Sequence, residues 1–555
     1  MKNNFRNLVF YILIALFTIT PNIACVAYDS PSVTIPDSHL ETGLREILKK
    51  PHGDINEYDL GKLRTLDLRN MGIISLEGLQ YCRKLKEIDL TGNFRIENFY
   101  PLLDIGDLEI RFDVWVDDTM LDAEIRRQVG KSEGPLSPYD LAQVRILNDA
   151  EHGFRKIKYP ELFTGLEELR LNWKEGYYCQ GITDLQSIER MHSLKTLYLG
   201  GLSLFSNDNP NDNVVPSEDS GEEFYLDLSP LSNLTNLTRL GIYNQKFIDA
   251  VNPDLSPLAG ITGLTELDIT LNSDFDLTPL SDLKNLKVLR LNENRISDIY
   301  PLSSLKNLRV LEIRNGKITS INAISNLSRL EELDLECIYG GYGPYNLSPL
   351  EGLSNLRILR LSGRADGHGS LSKLTNLEEL TLTETDIIDL KPIKNLNKLV
   401  SLKLWGNFRL KYFKTLGEMD GLESLEIFDL CEPELDFLSG HANLKKLNIW
   451  FDYDIRDEIK DLTPIWNLAG LEDLTIGNTP IFDLKPILNL TDLKKLHLTH
   501  CTLDDIGVLE KLPNLESLTI DYDFGTISPE NSDLTFENIP EVIIPSLKII
   551  RKSGN

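Results

Sequence analysis

From residue 264 to residue 313 the chain reads LTELDITLNSDFDLTPLSDLKNLKVLRLNENRISDIYPLSSLKNLRVLEI. Apolar residues alternate with polar ones around each leading leucine, then a second apolar group follows after a polar gap. Leu264, Leu286, Leu308 and Leu330 open the pattern LxxLxL, or its isoleucine variant, at a spacing of 22 residues. Period-2 alternation predicts a short strand with its leucines turned to one side and the intervening residues to the other. The second group, as in Ile296-Ser-Asp-Ile-Tyr-Pro-Leu302, contains a proline that limits regular helix, so it predicts a short 3₁₀ turn.

One such unit cannot bury its leucines alone and must stack on its neighbours. A fixed period of this length with this pattern predicts an α/β leucine-rich-repeat solenoid. Its parallel strands line a concave face, and short 3₁₀ or irregular segments form the convex side. The opening leucines continue from Leu166, Leu194 and Leu237 through the clean stretch to Leu356, Leu377, Leu399, Leu422 and Leu444, then Leu471, Leu493 and Leu515. Strands are expected to begin at or one residue after each. Three long steps mark loops: SNDNPNDNVVPSEDSGEE, CIYGGYGPY and DYDIRDEIKD. Asn294 and Asn407 are placed to join successive coils by hydrogen bonds to the backbone.

An end repeat exposes its leucines unless it is capped. Residues 38 to 48 carry Leu40, Leu44, Ile47 and Leu48 at helical spacing behind Asp37 or Ser38, and Pro51 ends the segment. The same pattern returns 81 residues later: Leu40, Arg45, Lys50, Gly53 and Tyr58-Asp59-Leu60 match Leu121, Arg126, Lys131, Gly134 and Tyr139-Asp140-Leu141. A second helix is expected over residues 118 to 129, with Leu121, Ile125 and Val129 on its apolar face. The expected organisation is a signal peptide (1–27), a helical N-terminal cap (28–62), a short repeat array (63–116), a second cap-like helix (117–143) and the main array (144–555).

The 555 residues carry a net charge of −28. Such a surface repels phosphate backbones, so nucleic acid is excluded as a partner, and a basic protein patch or a divalent cation suits it better. Lys2 and Arg6 precede the apolar run Leu8 to Ile19, and Cys25-Val26-Ala27 fits cleavage after Ala27. This predicts a secreted or cell-envelope-associated protein. Lipidation at Cys25 is the alternative, opposed by Asn22 and Pro21 where a lipobox wants apolar or small residues. No later apolar run reaches 18 residues, so no membrane-spanning segment is expected. Cys82, Cys179, Cys337, Cys431 and Cys501 are scattered and read as buried core residues.

The segments ISDIYPLSSLKNLRVLEI and SPLSNLTNLTRLGI resemble the repeats of the bacterial internalins, and Pro36 to Glu46 resembles the caps of related secreted repeat proteins. The resemblance spans nearly all of the chain after the signal and implies the solenoid fold. It does not identify the ligand. The chain departs from wall-anchored internalins in having no LPxTG signal and no basic tail.

No GxSxG, HExxH, Walker or dinucleotide motif is present, and carboxylates such as Asp298 and Asp389 recur because the repeat does, so no catalytic residue and no cofactor is assigned. His497, His500 and Cys501 lack a second cluster that would complete a zinc site, and the insert around Asp208 and Asp212 lacks EF-hand spacing, so no metal site is assigned. The informative group is aromatic. In the outward column after the third apolar position, consecutive repeats carry Trp405, Phe428 and Trp450, and Phe451 is expected to extend the stripe. Exposed aromatics on such a face are candidate hot spots. Tyr198 and Tyr243 form a second group, and Arg290, Arg314 and Arg360 alternate with Glu312, Asp334 and Glu336 as expected ion pairs. The chain therefore reads as an exported, non-enzymatic protein-binding solenoid. A glycan-binding surface protein using the stripe and an envelope-tethered structural spacer are the alternatives.

Overall fold

In a computed structural model, the described residues are 30–148, 157, 159–171, 185–189, 191–200, 227–243, 253–336, 344–454, 462–479, 484–499, 509, 511–522 and 548–553. The signal segment, Cys25, Cys179, Cys337, His500 and Cys501, the insert around Asp208 and most of the two other long loops lie outside them.

The chain divides into two compact units. The first holds residues up to Asp117 with Ile125–Gln143 and Glu161–Phe163. Helix α1 (Ser38–Leu48) starts at Asp37, whose carboxylate accepts the His39 and Leu40 amides at 2.9 and 3.0 Å. Leu40 and Leu44 are fully buried beneath it. A short helix α2 (Glu57–Leu60) follows, and then three parallel strands, β1 (Thr65–Asp67), β2 (Glu87–Asp89) and β3 (Glu109–Arg111).

The duplicated sequence folds twice with the same contacts. Helix α3 (Thr119–Val129) starts at Asp118, which accepts the Met120 and Leu121 amides, as Asp37 does for its own helix. Arg45 donates to the carbonyls of Lys50 and Gly53, and Arg126 donates to those of Lys131 and Gly134. The Lys50–Asp59 ion pair (2.7 Å) recurs as Lys131–Asp140 (2.9 Å) ahead of helix α4 (Pro138–Gln143). Gly53 and Gly134 both turn the chain at φ values of 83° and 82°, a conformation that favours glycine. Leu121 and Ile125 are buried, but Val129 is only half-buried, because the apolar face ends one turn before the helix does.

The second unit contains a sheet in which every strand from Ile146–Asn148 to Lys548–Ser553 is parallel to its neighbours and follows them in chain order. Leu289, Leu291, Leu311 and Ile313 are fully buried. Regular pairing starts two residues after each leading leucine, one later than expected, as in Val288–Arg290 after Leu286. Hydrogen bonding explains the offset. The Thr265 carbonyl is forked between the Lys287 and Val288 amides (2.8 and 3.1 Å), so the first residue after the leucine is held without entering the ladder. The same fork repeats from coil to coil, for example at the Lys287, Arg309 and Glu378 carbonyls.

The return legs are 3₁₀ turns such as Thr278–Asp282 and Tyr300–Ser304. Asp276 and Asp298 start them by accepting the amides of Thr278 and Tyr300, each at 2.8 Å, an Asx turn that accounts for the recurrent aspartate. Asn294 is buried, accepts the Leu271 amide at 2.9 Å and donates to the Ile269 carbonyl at 2.7 Å. Asn407 does the same with Thr385 and Leu382. A second column of asparagines ties the outer edge: Asn285, Asn307, Asn376 and Asn443 each donate to a carbonyl of the preceding coil at 2.7–2.9 Å.

Beside that column runs a line of alternating charge. Glu423 pairs with Lys445 (2.7 Å) and Glu472 with Lys494 (2.5 Å), and Lys445 and Lys494 also feel Glu472 and Glu516 in the next coils. These groups are exposed, so they bias the coil register more than they add stability.

His441 occupies a fully buried position that Leu327, Leu353 and Leu374 fill in other coils. Burial pushes its pKa below the usual value, against the opposing effects of the Met419 backbone and Asp420. The folded chain thus takes up this proton less readily than the unfolded chain, whose histidines titrate near about 6.5. The stability is complete above that pH and falls as pH drops through it. His441→Leu should raise the urea midpoint at neutral pH and make the loss of stability below about pH 6.5 shallower, as read from unfolding curves across pH. Leu291→Ala, which removes a fully buried side chain, should cost about 2–5 kcal/mol in the same measurement.

Candidate functional site

Three adjacent strands carry the aromatic stripe: Ser401–Trp405, Ser424–Leu430 and Lys446–Phe451. Leu402, Leu425 and Leu447 pair in register, as do Leu404, Ile427 and Ile449. Both rows are buried, so the residue after the second row faces solvent in each strand. Those residues are Trp405, Phe428 and Trp450. Trp405 is 51% exposed, and the other two are half-buried. The Trp405 and Phe428 ring centroids lie 5.7 Å apart and tilted, and Phe428 and Trp450 stack at 6.0 Å. The Lys403 ammonium sits 5.6 Å from the Phe428 centroid.

Trp450 is half-covered because it lies on Gly477 of the next strand. A Cβ there would come within 2.7 Å of the indole, so glycine provides the bare backbone on which the ring rests. Phe451 does not extend the stripe. It is 1% exposed and points into the core opposite Leu430, since alternation turns the residue after an outward one back inward. A β-bulge between Ile427 and Leu430 preserves this pairing, with Asp429 in the left-handed region at φ 62°.

Other exposed side chains escaped the repeat pattern. Phe408 and Tyr412 follow Trp405 in its own coil, and Ile388 and Tyr453 occupy neighbouring loops; each is more than half exposed. The Lys411 amide donates to the Ile388 carbonyl, which sets these loops side by side. The run GNFRLKYF after Trp405 was the only signal, and loop exposure has no period to read.

The second aromatic group is internally satisfied. Tyr198 and Tyr243 stack at 6.3 Å, Arg170 lies 4.5 Å from the Tyr198 centroid, and the Tyr243 hydroxyl donates to Asp268 at 3.0 Å. Tyr198 covers Gly241 as Trp450 covers Gly477. Burial and the adjacent Asp268 carboxylate hold the Tyr243 phenol well above its usual pKa. The alternating charges pair as expected: Arg290 bridges Glu266 and Glu312 at 3.1 and 3.0 Å, Arg314 holds the fully buried Asp334 at 2.6 Å, and Arg360 bridges Glu332 and Glu379. Cys82 is buried and its thiol is pushed up to about 12 by that burial. Cys431, expected in the core, is only half-buried beside Asp429 and Asp452, because it lies past the strand in a loop. Among the described residues no group of three histidine, cysteine or carboxylate side chains forms a metal site. No described helix is long and apolar enough to cross a membrane.

Trp405 and Phe451 should respond oppositely to truncation. Trp405→Ala should change unfolding free energy by no more than about 1 kcal/mol, whereas Phe451→Ala should cost about 3–5 kcal/mol. Equal losses for the two would show that both rings are packed.

The family model described as "Leucine Rich repeats (2 copies)" matches residues 284–326. No curated protein matches the chain. Among solved structures, an internalin of Listeria monocytogenes, InlF, is 22% identical, covering 79% of this chain and 95% of its own, with a TM-score of 0.37. A leucine-rich-repeat protein of Leptospira interrogans is 19% identical over 89% of this chain and 97% of its own, with a TM-score of 0.47. A plant peptide hormone receptor, solved in complex with RGF2, is 13% identical over 90% and 96%, with a TM-score of 0.44. The 22-residue period, the parallel ladder of buried leucines it builds and the family model over residues 284–326 show that the chain folds as a leucine-rich-repeat solenoid.

Proposed function

We propose that the chain is an exported, non-enzymatic binding protein that engages a protein partner through Trp405, Phe428 and Trp450. The observation that carries this reading is the run of three aromatic rings on the solvent side of adjacent strands. Large rings left in water reduce solubility, and they are typical anchors of protein interfaces. Two other groups on this face, the Arg290–Glu266–Glu312 and Arg314–Asp334 ion pairs and the Tyr198–Tyr243 stack, are engaged with one another. Residues 1–27 support export, with cleavage after Ala27. The duplicated cap supports a division into residues 28–62, 63–116, 117–143 and the main array from residue 144.

The experiment is capture of partners by the chain starting at Tyr28, followed by affinity measurement on the captured protein. Trp405→Ala and Trp450→Ala should each weaken binding by at least about 1 kcal/mol, or about fivefold, with the circular-dichroism spectrum unchanged. Full affinity in both variants would place the partner elsewhere and overturn the stripe as the site. N-terminal sequencing of the exported protein checks the cleavage, and a first residue other than Tyr28 would refute it.

A further inference from the structure

We propose that the stripe takes a basic partner segment, one that presents lysine or arginine side chains between apolar ones. This rests on the stripe being the binding surface and adds the chemistry of its occupant.

The apolar part of the surface is local. Beyond residue 144, nine large apolar or aromatic side chains are exposed among the described residues, and six of them fall between Ile388 and Tyr453. That segment is only three to four coils of the array, and four of the six, Trp405, Phe408, Tyr412 and Tyr453, are aromatic, so the exposed rings are concentrated in one part of it. Charge marks the same place. Several carboxylates on this face carry a cation: Glu266 and Glu312 share Arg290, Asp334 has Arg314, and Glu426, on the middle strand of the stripe, has Lys446, while Asp268 is held by the Tyr243 hydroxyl. Beside the stripe, Asp429, Glu432, Asp452 and Asp454 have no cation at ion-pair distance among the described residues.

These carboxylates are held together by the fold. The Cys431 thiol lies 3.8 Å from the Asp452 carboxylate and 3.3 Å from the Asp429 carbonyl oxygen. The Tyr412 amide donates to Glu432 at 2.8 Å, which ties this acid to an exposed ring of the preceding coil. The Asp454 amide donates to Asp452 at 2.8 Å. Burial and the field of Asp452 raise the Asp429 pKa, against the opposing hydrogen bond from the Gly406 backbone.

A partner laid across the rings must meet these acids. An acidic or neutral segment would leave them unpaired and partly desolvated, whereas a basic one relieves their mutual repulsion. The rings favour the same occupant, because an aromatic face attracts a cation through its quadrupole. Lys403 already uses Phe428 in this way. The net charge of −28 adds long-range attraction for a basic partner.

The test uses the chain from Tyr28 and three labelled ten-residue peptides in which leucine alternates with lysine, glutamine or glutamate, with binding read by fluorescence anisotropy. The lysine peptide should bind most tightly and weaken with salt. The double variant D429N/D452N should weaken it by about fivefold or more. D254N/D276N, the same change of net charge at two exposed turn-capping positions, should leave the affinity unchanged, since asparagine can keep those caps. Trp405→Ala should weaken the lysine peptide as well. Equal affinity for lysine and glutamate peptides, or equal effects of the two double variants, would overturn the proposal. If the glutamine peptide depends on Trp405 while charge makes no difference, the stripe stands and the basic occupant falls. If no peptide depends on Trp405, both readings fall.

Discussion

A coil of this chain can bury its leucines only against the next coil. Leu289 and Leu291 have no core of their own, and they are fully buried because Leu311 and Ile313 lie one coil on and Leu267 and Ile269 one coil back. Each such side chain contributes roughly 1.5–3 kcal/mol on burial before entropy is subtracted. The requirement dictates the parallel register and the even spacing. It also creates the need for a cap where an array starts, and the chain repeats one helical segment with the same aspartate, arginine and lysine contacts.

Stacking also leaves backbone groups between coils that must be satisfied away from water. Forked carbonyls, two columns of asparagine and aspartate-capped turns do this with few residue types. Because the inward and turn positions are occupied by this work, the outward positions on the strands are released from it. Side-chain chemistry can vary there with little effect on folding. The Trp405 column and the Arg290–Arg360 network are two uses of the same released positions.

The repeat was legible in the sequence because burial imposes a period. The leucine registers, the 3₁₀ turns after aspartate and the roles of Asn294 and Asn407 all follow from it. The strand onset was misplaced by one residue because a forked carbonyl has no side-chain signature. The outer asparagine column went unread although it is periodic, since the leucines beside it dominate the pattern. Phe451 was misassigned by neglect of simple alternation, and Val129 by assuming that an apolar stripe runs the length of its helix. At the stripe, the outward direction of Trp405, Phe428 and Trp450 was readable. The support of Trp450 by Gly477 was not, because it joins two strands through the absence of a side chain.

The line of alternating charge beside the outer asparagines bears on how such an array can grow. Glu423, Lys445, Glu472, Lys494 and Glu516 occupy equivalent places in consecutive coils. Excising one coil from this run would bring Glu423 beside Glu472, or Lys445 beside Lys494, and set like charges against each other. Excising two adjacent coils would restore opposite neighbours. Gene rearrangements that shorten or lengthen this part of the protein are therefore better tolerated in even steps than in odd ones.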